Sequence, residues 1–441
     1  MVLAGNRLLA LEAGDTTASC YGIAVDLGTT SVVVILANLA SGEVLGIESM
    51  LNGQANYGAD VISRVEYSAT PAGLQTLQQA AVDTINSALR RLAERTGVDP
   101  EQVYEAVVVG NSCMNHLLLG IEPASLARAP YQPTLSESVQ VPATDVGLSI
   151  NPSGQVYTLP NIAGFVGSDT VAVILATAMH RSEELQLALD LGTNGEMVLG
   201  DKDRLLACST AAGPAFEGAR ISCGMRATKG AIERVWIDEG RVRIQVVGNG
   251  APIGLCGSGL MDAVAQMRAA GLMDQSGRII LPDQRDAGIP PRLAERLDAE
   301  DGTRGFTLYR RGRRRLVLGQ ADVRELQLAK GAIRAGIAVL MEEYGVDAAA
   351  VDQVLLAGAF GSYLSPASAR AIGLIPPVPL NRIAAVGNAA GQGALMALLS
   401  TDLREQANEI ARSVEYVELA SRRDFMRLFL SAMALDPLRL A

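Results

Sequence analysis

The sequence has few aromatic residues. Phe, Tyr and Trp together make up 4% of its 441 residues, whereas glycine occurs 45 times and the apolar fraction is 49%. A core with so few rings must be packed from Val, Ile, Leu and Ala, which is typical of sheets covered on both faces by helices. Because the length exceeds what one compact core usually holds, we expect an α/β protein of two or three domains.

Cysteine and histidine are also scarce. The five cysteines and two histidines form no CxxC pair and no Cys/His cluster, so neither a usual zinc site nor a disulfide framework is expected, and reduced thiols in the cytoplasm are predicted. Cys256 begins a predicted helix, where a thiolate would be stabilised, but a small buried thiol beneath a turn is the preferred interpretation. The histidines are interpreted as structural. The residues concerned are Cys20, Cys113, Cys208, Cys223, Cys256, His116 and His180.

A long apolar run, a basic N-terminal signal and an excess of positive charge are absent as well. No stretch reaches the roughly 18 uninterrupted apolar residues of a membrane span. With 37 basic and 47 acidic residues the formal charge is -10, so no general affinity for nucleic acid or anionic membrane is expected. The one basic cluster lies between strand-like runs and predicts a solvated hairpin, with a polyanion or partner site as the alternative. It consists of Arg310, Arg311, Arg313, Arg314 and Arg315.

What the sequence does contain is a repeated strand-turn-strand pattern. Asp-Leu-Gly-Thr begins at Asp26 and again at Asp190, 164 positions later (190 minus 26), each time after one apolar strand and before another. Two copies at this separation predict a duplicated domain. In the turns we expect Gly28 or Gly192 to adopt a positive φ, with small hydroxyl residues beside it.

A carboxylate at the end of a strand, followed by such a turn, suits a magnesium nucleotide. Turn amides and the hydroxyls of Thr29 or Thr30 can hold phosphate oxygens while Asp26 holds the hydrated metal. The second copy would add Asp190, also a candidate metal ligand, from the opposite lobe. Phosphoryl transfer needs mainly positioning and charge neutralisation, which this arrangement provides. The turn of the second copy consists of Gly192, Thr193, Asn194 and Gly195.

Other positions are assigned to the same nucleotide. A glycine-rich turn after a buried strand would pass beneath the adenosine. Lys330 and Arg334, one helical turn apart, are predicted to flank the adenine or ribose, with an exposed basic helix face as the alternative for Arg334. Asp169 either caps the following helix or orients a water or a substrate hydroxyl. The adenosine turn consists of Gly358, Ala359, Phe360 and Gly361.

The pattern of apolar and turn residues suggests where domains begin and end. We expect a lead-in over 1–20, a first lobe over 21–184, a second lobe over 185–384, and over 385–441 a helix returning to the first lobe plus a tail. Helices are predicted over 73–96 and from Asp322, where Asp322-Val-Arg-Glu325 resembles a capping box. The Pro-, Ser- and Thr-rich segment 123–160 is expected to be irregular.

The order of these segments resembles the five nucleotide motifs of the actin, sugar kinase and Hsp70 (ASKHA) superfamily. Phosphate-1 corresponds to Asp26, connect-1 to Gly110-Asn111, phosphate-2 to Asp190, adenosine to Gly358–Gly361 and connect-2 to Gly387–Gly393. The resemblance implies an α/β fold of two duplicated ribonuclease-H-like, actin-like ATPase domains with a nucleotide cleft between them.

Finer motifs resemble the ATPase portion of the reductive activators of corrinoid proteins. The resemblance implies an ATPase, with ATP or ADP and Mg²⁺ as cofactors, that couples hydrolysis to the return of cobalt(II) to cobalt(I). It also implies a corrinoid protein or corrinoid-dependent methyltransferase and a ferredoxin-type electron donor as partners, with homodimerisation left open. The motifs are Asn56-Tyr-Gly-Ala-Asp-Val-Ile-Ser-Arg64, Ile162–Asp169, Leu189–Glu196, Ala212–Gly218 and Leu326–Arg334.

Members of that family usually carry an N-terminal [2Fe-2S] domain, whereas no four-cysteine motif precedes Asp26 here. The cluster is therefore expected on a missing domain or on a separate donor. Three alternatives stay open: a small-molecule kinase with Asp169 as base, an actin-like filament protein, and a nucleotide-regulated activator of another metalloenzyme. The last, of the dehydratase type, would hold a [4Fe-4S] cluster through cysteines at a dimer face.

Overall fold

The structure is a computed structural model that describes residues 1–4, 7–281, 289–300 and 303–436. It contains two compact units. Unit 1 comprises Met1–Glu183, Gly200–Ala207 and Asn388–Tyr416, and unit 2 comprises Glu184–Leu199, Cys208–Gly387 and Val417–Ala441. In the described part of the chain, no helix combines the length and the apolar character needed to cross a bilayer.

The elements up to residue 183 are mainly strands, with one long helix. The strands are β1 (Val2–Ala4), β2 (Arg7–Ala10), β3 (Tyr21–Leu27), β4 (Ser31–Asn38), β5 (Val44–Leu51), β6 (Val103–Gly110), β7 (Val139–Pro142) and β8 (Gln155–Thr158). The helices are α1 (Val61–Tyr67), α2 (Pro71–Thr96), α3 (Ser112–Leu118), α4 (Ala143–Val146) and α5 (Ser168–Thr177).

The remaining elements follow from residue 184. The strands are β9 (Gln186–Leu191), β10 (Gly195–Gly200), β11 (Leu205–Thr210), β12 (Ala231–Asp238), β13 (Arg241–Val246), β14 (Gly254–Leu255), β15 (Leu297–Glu300), β16 (Thr303–Arg311), β17 (Arg314–Gly319), β18 (Gln353–Ala357), β19 (Ile383–Gly387) and β20 (Glu415–Tyr416). The helices are α6 (Gly257–Ala269), α7 (Pro291–Ala294), α8 (Gln320–Tyr344), α9 (Gly358–Tyr363), α10 (Pro366–Ala371), α11 (Ala389–Leu399), α12 (Thr401–Ser413) and α13 (Phe425–Ala432).

Unit 1 is built on a six-stranded sheet with the order β5-β4-β3-β6-β8-β7. The central strand β3 is antiparallel to β4 and parallel to β6, and Asp26 lies opposite Val33 and Val109 near its end. Helix α2 supplies core residues such as Leu77, while α11 packs on α5 and β3. Because helices cover both faces, β3 is apolar almost throughout, as the composition predicted.

The packing of α11 on α5 requires a glycine. A Cβ at Gly393 would overlap the backbone of Ala172 in α5. Only a residue without a side chain permits the two helix backbones to approach so closely. The small-residue character of this helix is thus explained by packing, since Ala389, Ala390 and Ala394 on it are also buried.

In unit 2 the strands run in the order β19-β18-β9-β10, with β11 next to β10. Strand β18 is parallel to both β9 and β19, and Ala357 at its end lies opposite Asp190 and Gly387. The carboxyl ends of these three strands therefore meet at one edge of the sheet. The turns that precede β18 and β19 lie at the other edge.

Several sequence predictions are confirmed and others are wrong in detail. The predicted helix over 73–96 is α2, which Thr70 caps by accepting from Gly73 N at 3.1 Å. The segment 123–160 is not irregular throughout, because β7 and β8 join the sheet beside β6. Each of these two strands alternates polar and apolar residues over only four positions. This pattern is too short to predict a strand within a proline-rich segment.

Two element boundaries also differ from the sequence predictions. Helix α8 begins at Gln320 rather than at Asp322, whose carboxylate accepts from Gly319 N at 2.8 Å from within the first turn. Residues 385–387 end strand β19, so the helix of the last motif begins only at Ala389, capped by Asn388. In the first case a side chain within the first turn was taken for the cap, and in the second the capping side chain was missed.

Candidate functional site

The first Asp-Leu-Gly-Thr turn, in unit 1, is held from behind by side chains. Its three-residue loop is closed by a hydrogen bond from Gly28 N to Ser31 O at 2.9 Å. Asn52 donates to Gly28 O through its side chain at 2.8 Å and to Thr30 O through its backbone at 2.9 Å. With these carbonyls occupied, the loop is fixed before any ligand arrives.

Arg64 is a second residue that holds the first turn from behind. Its Nη2 donates to Thr29 O at 2.5 Å, and further bonds go to Gly58 O at 3.0 Å and Gln54 Oε1 at 3.1 Å. The side chain is fully buried, so its charge acts at low dielectric directly beneath the turn. A buried cation there favours an anion on the exposed side of the turn.

Asn111 directly follows β6, the neighbour of β3 in the sheet, and contacts the same loop. It caps α3 by accepting from Met114 N at 3.0 Å, and its Nδ2 donates to Thr29 Oγ1 at 2.9 Å. The predicted connect-1 position therefore contacts the predicted phosphate-1 position. A single side-chain amide thus caps the start of α3 and positions the threonine hydroxyl.

Asp169 lies in the first turn of α5, whose cap is Gly167. Its Oδ1 accepts from Thr170 N at 2.8 Å. The preceding Ser168 hydroxyl interacts with the end of β6 at Gly110, so this helix start is tied to the same strand that leads into Asn111. Because Gly167 occupies the cap position, the interpretation of Asp169 as the helix cap is wrong. Its role towards a ligand stays a prediction.

We expected a positive φ at Gly28 or Gly192. This prediction is wrong, because neither residue is among the glycines that have a positive φ. Glycine at position 28 has a steric reason instead, because a Cβ would lie 2.7 Å from Ser31 O. At Gly192 the nearest atom to such a Cβ, Asn194 O, is 3.7 Å away. The two turns share a sequence but not the same need for glycine.

The second turn, in unit 2, is bonded to a carboxylate. Gly192 N donates to Asn194 O at 2.9 Å, and Thr193 Oγ1 donates to Glu217 Oε1 at 2.6 Å. Next to Glu217, Phe216 stacks on Phe360 with ring centroids 4.8 Å apart. This stacking links the Ala212–Gly218 motif to the adenosine turn.

Asp190 lies against that adenosine turn. Gly358 has φ +81°, and a Cβ there would overlap Asp190 Oδ1, so the position requires glycine for both conformation and space. Burial raises the pKa of Asp190 to about 6. A carboxylate with a raised pKa gains more from a bound cation than a fully hydrated one does.

The other predicted adenosine residues are placed as follows. Gly358, Ala359, Phe360 and Gly361 begin helix α9 rather than forming an open turn, and the side chain of Ala359 lies outside the described part of the structure. Gly195 begins β10 and faces Ile333 of α8. Burial, followed by repulsion from Arg334, lowers the pKa of Lys330 to about 7, and its Nζ donates to Ala432 O at 2.5 Å and to Ala434 O.

Arg334 lines a cavity within unit 2 whose walls include the turns that precede β18 and β19. These turns lie at the opposite edge of the sheet from Asp190 and Gly358. The adenine or ribose role of Lys330 and Arg334 stays a prediction. For Lys330 the observed bonds are to the C-terminal segment, and for Arg334 the cavity suggests a different role, argued below.

Possible metal ligands are few. Within the described ranges, no three or more His, Cys, Asp or Glu side chains are grouped to hold a metal ion. Mg²⁺ is usually held by one or two carboxylates together with phosphate oxygens and water, so Asp26 and Asp190, each at the start of its turn, are donors of the fitting kind. An iron-sulfur cluster is held by several cysteine thiolates together, and the described residues contain no such group of cysteines.

Comparison with known proteins decides the family. Residues 21–182 match the model described as the RACo middle region, and residues 184–440 match that described as the C-terminal domain of RACo, the ASKHA domain. The chain belongs to the family of reductive activators of corrinoid proteins. A solved structure named as a reductive activator for a corrinoid, iron-sulfur protein is 41% identical with a TM-score of 0.87, covering 97% of this chain and 68% of that one.

Two curated proteins are similar over almost the whole chain. The corrinoid activation enzyme RamQ of Eubacterium limosum is 37% identical over 436 residues, which are 98% of this chain and 73% of that protein. The [Co(II) methylated amine-specific corrinoid protein] reductase of Methanosarcina barkeri is 26% identical over 452 residues, 94% of this chain and 77% of that protein. The predicted family and its mixed α/β ASKHA fold are thereby confirmed.

Three site residues of this family member were not identified from the sequence. Asn52 and Arg64 hold the first turn, and Glu217 accepts from the second. Arg64 and Glu217 lie within two of the motifs that carried the family resemblance, which was the available signal. Nothing in the spacing indicated which turn each would contact.

Proposed function

We propose that the chain binds Mg²⁺-ATP and couples its hydrolysis to the one-electron reduction of a corrinoid partner from cobalt(II) to cobalt(I). The observation that carries this proposal is the similarity over nearly the full chain to corrinoid activators. The chain would act as the ATPase and partner-binding part. The electron would come from a [2Fe-2S] donor of ferredoxin type, either on a further domain or on a separate protein.

The two turns suit different parts of a magnesium nucleotide. Bound Mg²⁺ would neutralise phosphate charge and orient the terminal phosphate for attack by water. In unit 1 the Thr29 and Thr30 turn, supported by the buried charge of Arg64, would bind phosphate oxygens, and Asp26 a hydrated metal. In unit 2 Asp190 would supply a second carboxylate, and the Gly358 helix start a backbone surface for the adenosine.

Nucleotide binding would act on the corrinoid partner through affinity. If the ATP-bound and ADP-bound forms differ in affinity for the two oxidation states of the partner, hydrolysis offsets an unfavourable reduction. One electron passes from the donor to cobalt(II), while ATP and water are converted to ADP and phosphate. The number of ATP molecules per electron follows from measuring both products.

The test uses a cobalt(II) corrinoid protein, a low-potential one-electron reductant such as titanium(III) citrate, and this chain. We expect cobalt(I) absorbance to appear with Mg²⁺-ATP and not with a non-hydrolysable analogue. Asp26→Asn and Asp190→Asn should each slow hydrolysis about 100-fold or more, as loss of a metal-binding charge does. Cobalt(I) formation indifferent to ATP, or ADP formation only with a small metabolite, would contradict the proposal and favour a kinase.

A further inference from the structure

None of the residues that line the cavity beside Arg334 belongs to either Asp-Leu-Gly-Thr turn. The cavity has a volume of about 700 Å³ and lies between α8, α13 and the turns before β18 and β19. Small-molecule sites in proteins commonly measure about 300–1,000 Å³. Its apolar wall includes Met341, Val346, Pro377, Val378 and Leu428.

Arg334 is the polar group in this wall that lacks a partner. The residue is 6% exposed, and its Nη1 has no hydrogen-bond partner among the described residues. Burial lowers the pKa of Arg334 to about 10, so the guanidinium is charged at neutral pH. A buried guanidinium with an unused donor is costly unless an acceptor is supplied to it.

The other charged groups of the cavity already have partners. Glu342 pairs with Arg422 at 2.9 Å, and Asp347 accepts from Ala349 N at 2.9 Å and Ala350 N at 3.3 Å. Arg382 is exposed and donates to Val351 O at 3.2 Å. Among the charged residues that line the cavity, Arg334 is therefore the buried one that keeps an unused donor.

We propose that this cavity binds a small monocarboxylate with an apolar body, whose carboxylate accepts from Arg334. One guanidinium matches one carboxylate in charge and in fork geometry, whereas a phosphate dianion would keep an unmatched charge in a largely apolar site. The apolar walls would cover the rest of the ligand. The site goes beyond nucleotide and corrinoid binding and requires neither.

The position of the site at the amino ends of β18 and β19 has a consequence for nucleotide binding. Asp190 and Gly358 follow the carboxyl ends of parallel strands, whereas the turns that line the cavity precede β18 and β19 at the opposite edge of the sheet. We therefore expect a ligand held by these turns to bind without competing with a nucleotide, although Arg334 follows Ile333, which faces Gly195. This distinguishes the proposal from the adenine or ribose role predicted for Arg334.

The test is isothermal titration of the full chain with sodium octanoate. We expect a dissociation constant of about 1 mM or tighter, and Arg334→Met should weaken binding about tenfold or more by removing a charged hydrogen bond. Ala338→Leu, which fills the cavity but keeps the charge, should weaken it too. The matched control is Arg243→Met, outside the cavity, whose side chain is 54% exposed and pairs with Asp238 at 2.9 Å, with a change of less than about twofold.

Other ligands complete the test. Inorganic phosphate and 1-octanol should each bind at least about tenfold more weakly than octanoate, because the first lacks the apolar body and the second the charge. Equal octanoate binding by the native chain and Arg334→Met, or no binding at all, would overturn the site. Competition between octanoate and Mg²⁺-ATP would instead assign the cavity to the nucleotide. Failure of corrinoid reduction would leave each of these outcomes unaffected.

Discussion

The two copies of Asp-Leu-Gly-Thr have nearly the same sequence and opposite surroundings. In unit 1 the loop is held by donors, namely the guanidinium of Arg64 and the amides of Asn52 and Asn111. In unit 2 the corresponding threonine, Thr193, donates to the carboxylate of Glu217. One copy thus has a buried positive charge beneath it and the other a negative one beside it.

Under the proposed function, the two copies would contribute different charges to the nucleotide. A turn above a cation suits phosphate oxygens, whereas a carboxylate beside the second turn adds negative charge for the metal ion that Asp26 and Asp190 would hold. The shared strand and turn preserve the geometry, and the residues that surround them set the charge. The predictions below test this comparison.

The largest effect is expected from Arg64→Met. Removing the buried charge takes the Arg64 donor away from Thr29 O and Gly58 O, so the unfolding free energy should fall by about 3 kcal/mol or more and the Mg²⁺-ATP affinity about 100-fold. Denaturant unfolding measures the free energy of unfolding, and calorimetry measures the Mg²⁺-ATP affinity. The control is Arg91→Met, whose side chain is 59% exposed and pairs with Glu48 at 3.1 Å, with an expected loss of at most about 1 kcal/mol. A folded Arg64→Met protein with native ATP affinity would refute the role of unit 1.

Asp190→Asn should stabilise the nucleotide-free protein in a pH-dependent way. The native pKa of about 6 lies above the usual 3.8, so ionisation costs stability fully above pH 6 and not below pH 4. The gain should therefore be at most about 3 kcal/mol at pH 7.5, since the side chain keeps some solvent contact, and vanish near pH 4. Exposed Asp203→Asn is the control, with a change below about 0.5 kcal/mol at either pH. A gain that grows towards acid pH would contradict the burial of Asp190.

Glu217→Gln should change the metal requirement rather than the fold. Thr193 keeps an acceptor but the negative charge is lost, so the Mg²⁺ concentration for half-maximal hydrolysis should rise about tenfold. Glu233→Gln, at an exposed carboxylate bonded by Gln245 at 3.0 Å, serves as the matched control and should leave it unchanged. An unaltered Mg²⁺ requirement in Glu217→Gln would remove the contrast between the two turns.

Lys330→Met should have the smallest effect, confined to the C-terminal helix. Loss of the bonds to Ala432 O and Ala434 O should speed amide hydrogen exchange over 425–435 about tenfold, at a stability cost near 1 kcal/mol. Mass spectrometry of exchanged peptides measures this. Unchanged exchange together with weakened ATP binding would support the adenosine role predicted from the sequence.

Much of the fold was predictable because its signals are local. Each of three signals lies within a single segment of the chain: the repeated turn, the apolar period of α2 and the small residues around the start of α11. The contacts that complete the turns were not predictable, since Arg64 reaches back 35 positions to Thr29 and Lys330 forward 102 to Ala432. Such contacts depend on tertiary packing, which neither spacing nor propensity specifies.

The family motifs were more informative about identity than about mechanism. Asn56–Arg64 and Ala212–Gly218 identified the family because their residues are unusual in combination. Their physical roles, a cation beneath one turn and a carboxylate beside the other, required coordinates. The positions of Asp322 and of residues 385–387 show the same limit at smaller scale, since each was assigned to the wrong side of a helix start.

The predicted arginine hairpin is present at the tip of β16 and β17, where Arg311 pairs with Arg314 and the tip is exposed. A trypsin-class protease cleaves after arginine and needs an accessible loop, so this tip should be an early point of cleavage in unit 2. The nicked strands would stay attached through the pairing of Phe306 with Leu318. Limited digestion would thus yield two fragments that separate in denaturant but migrate together in native solution.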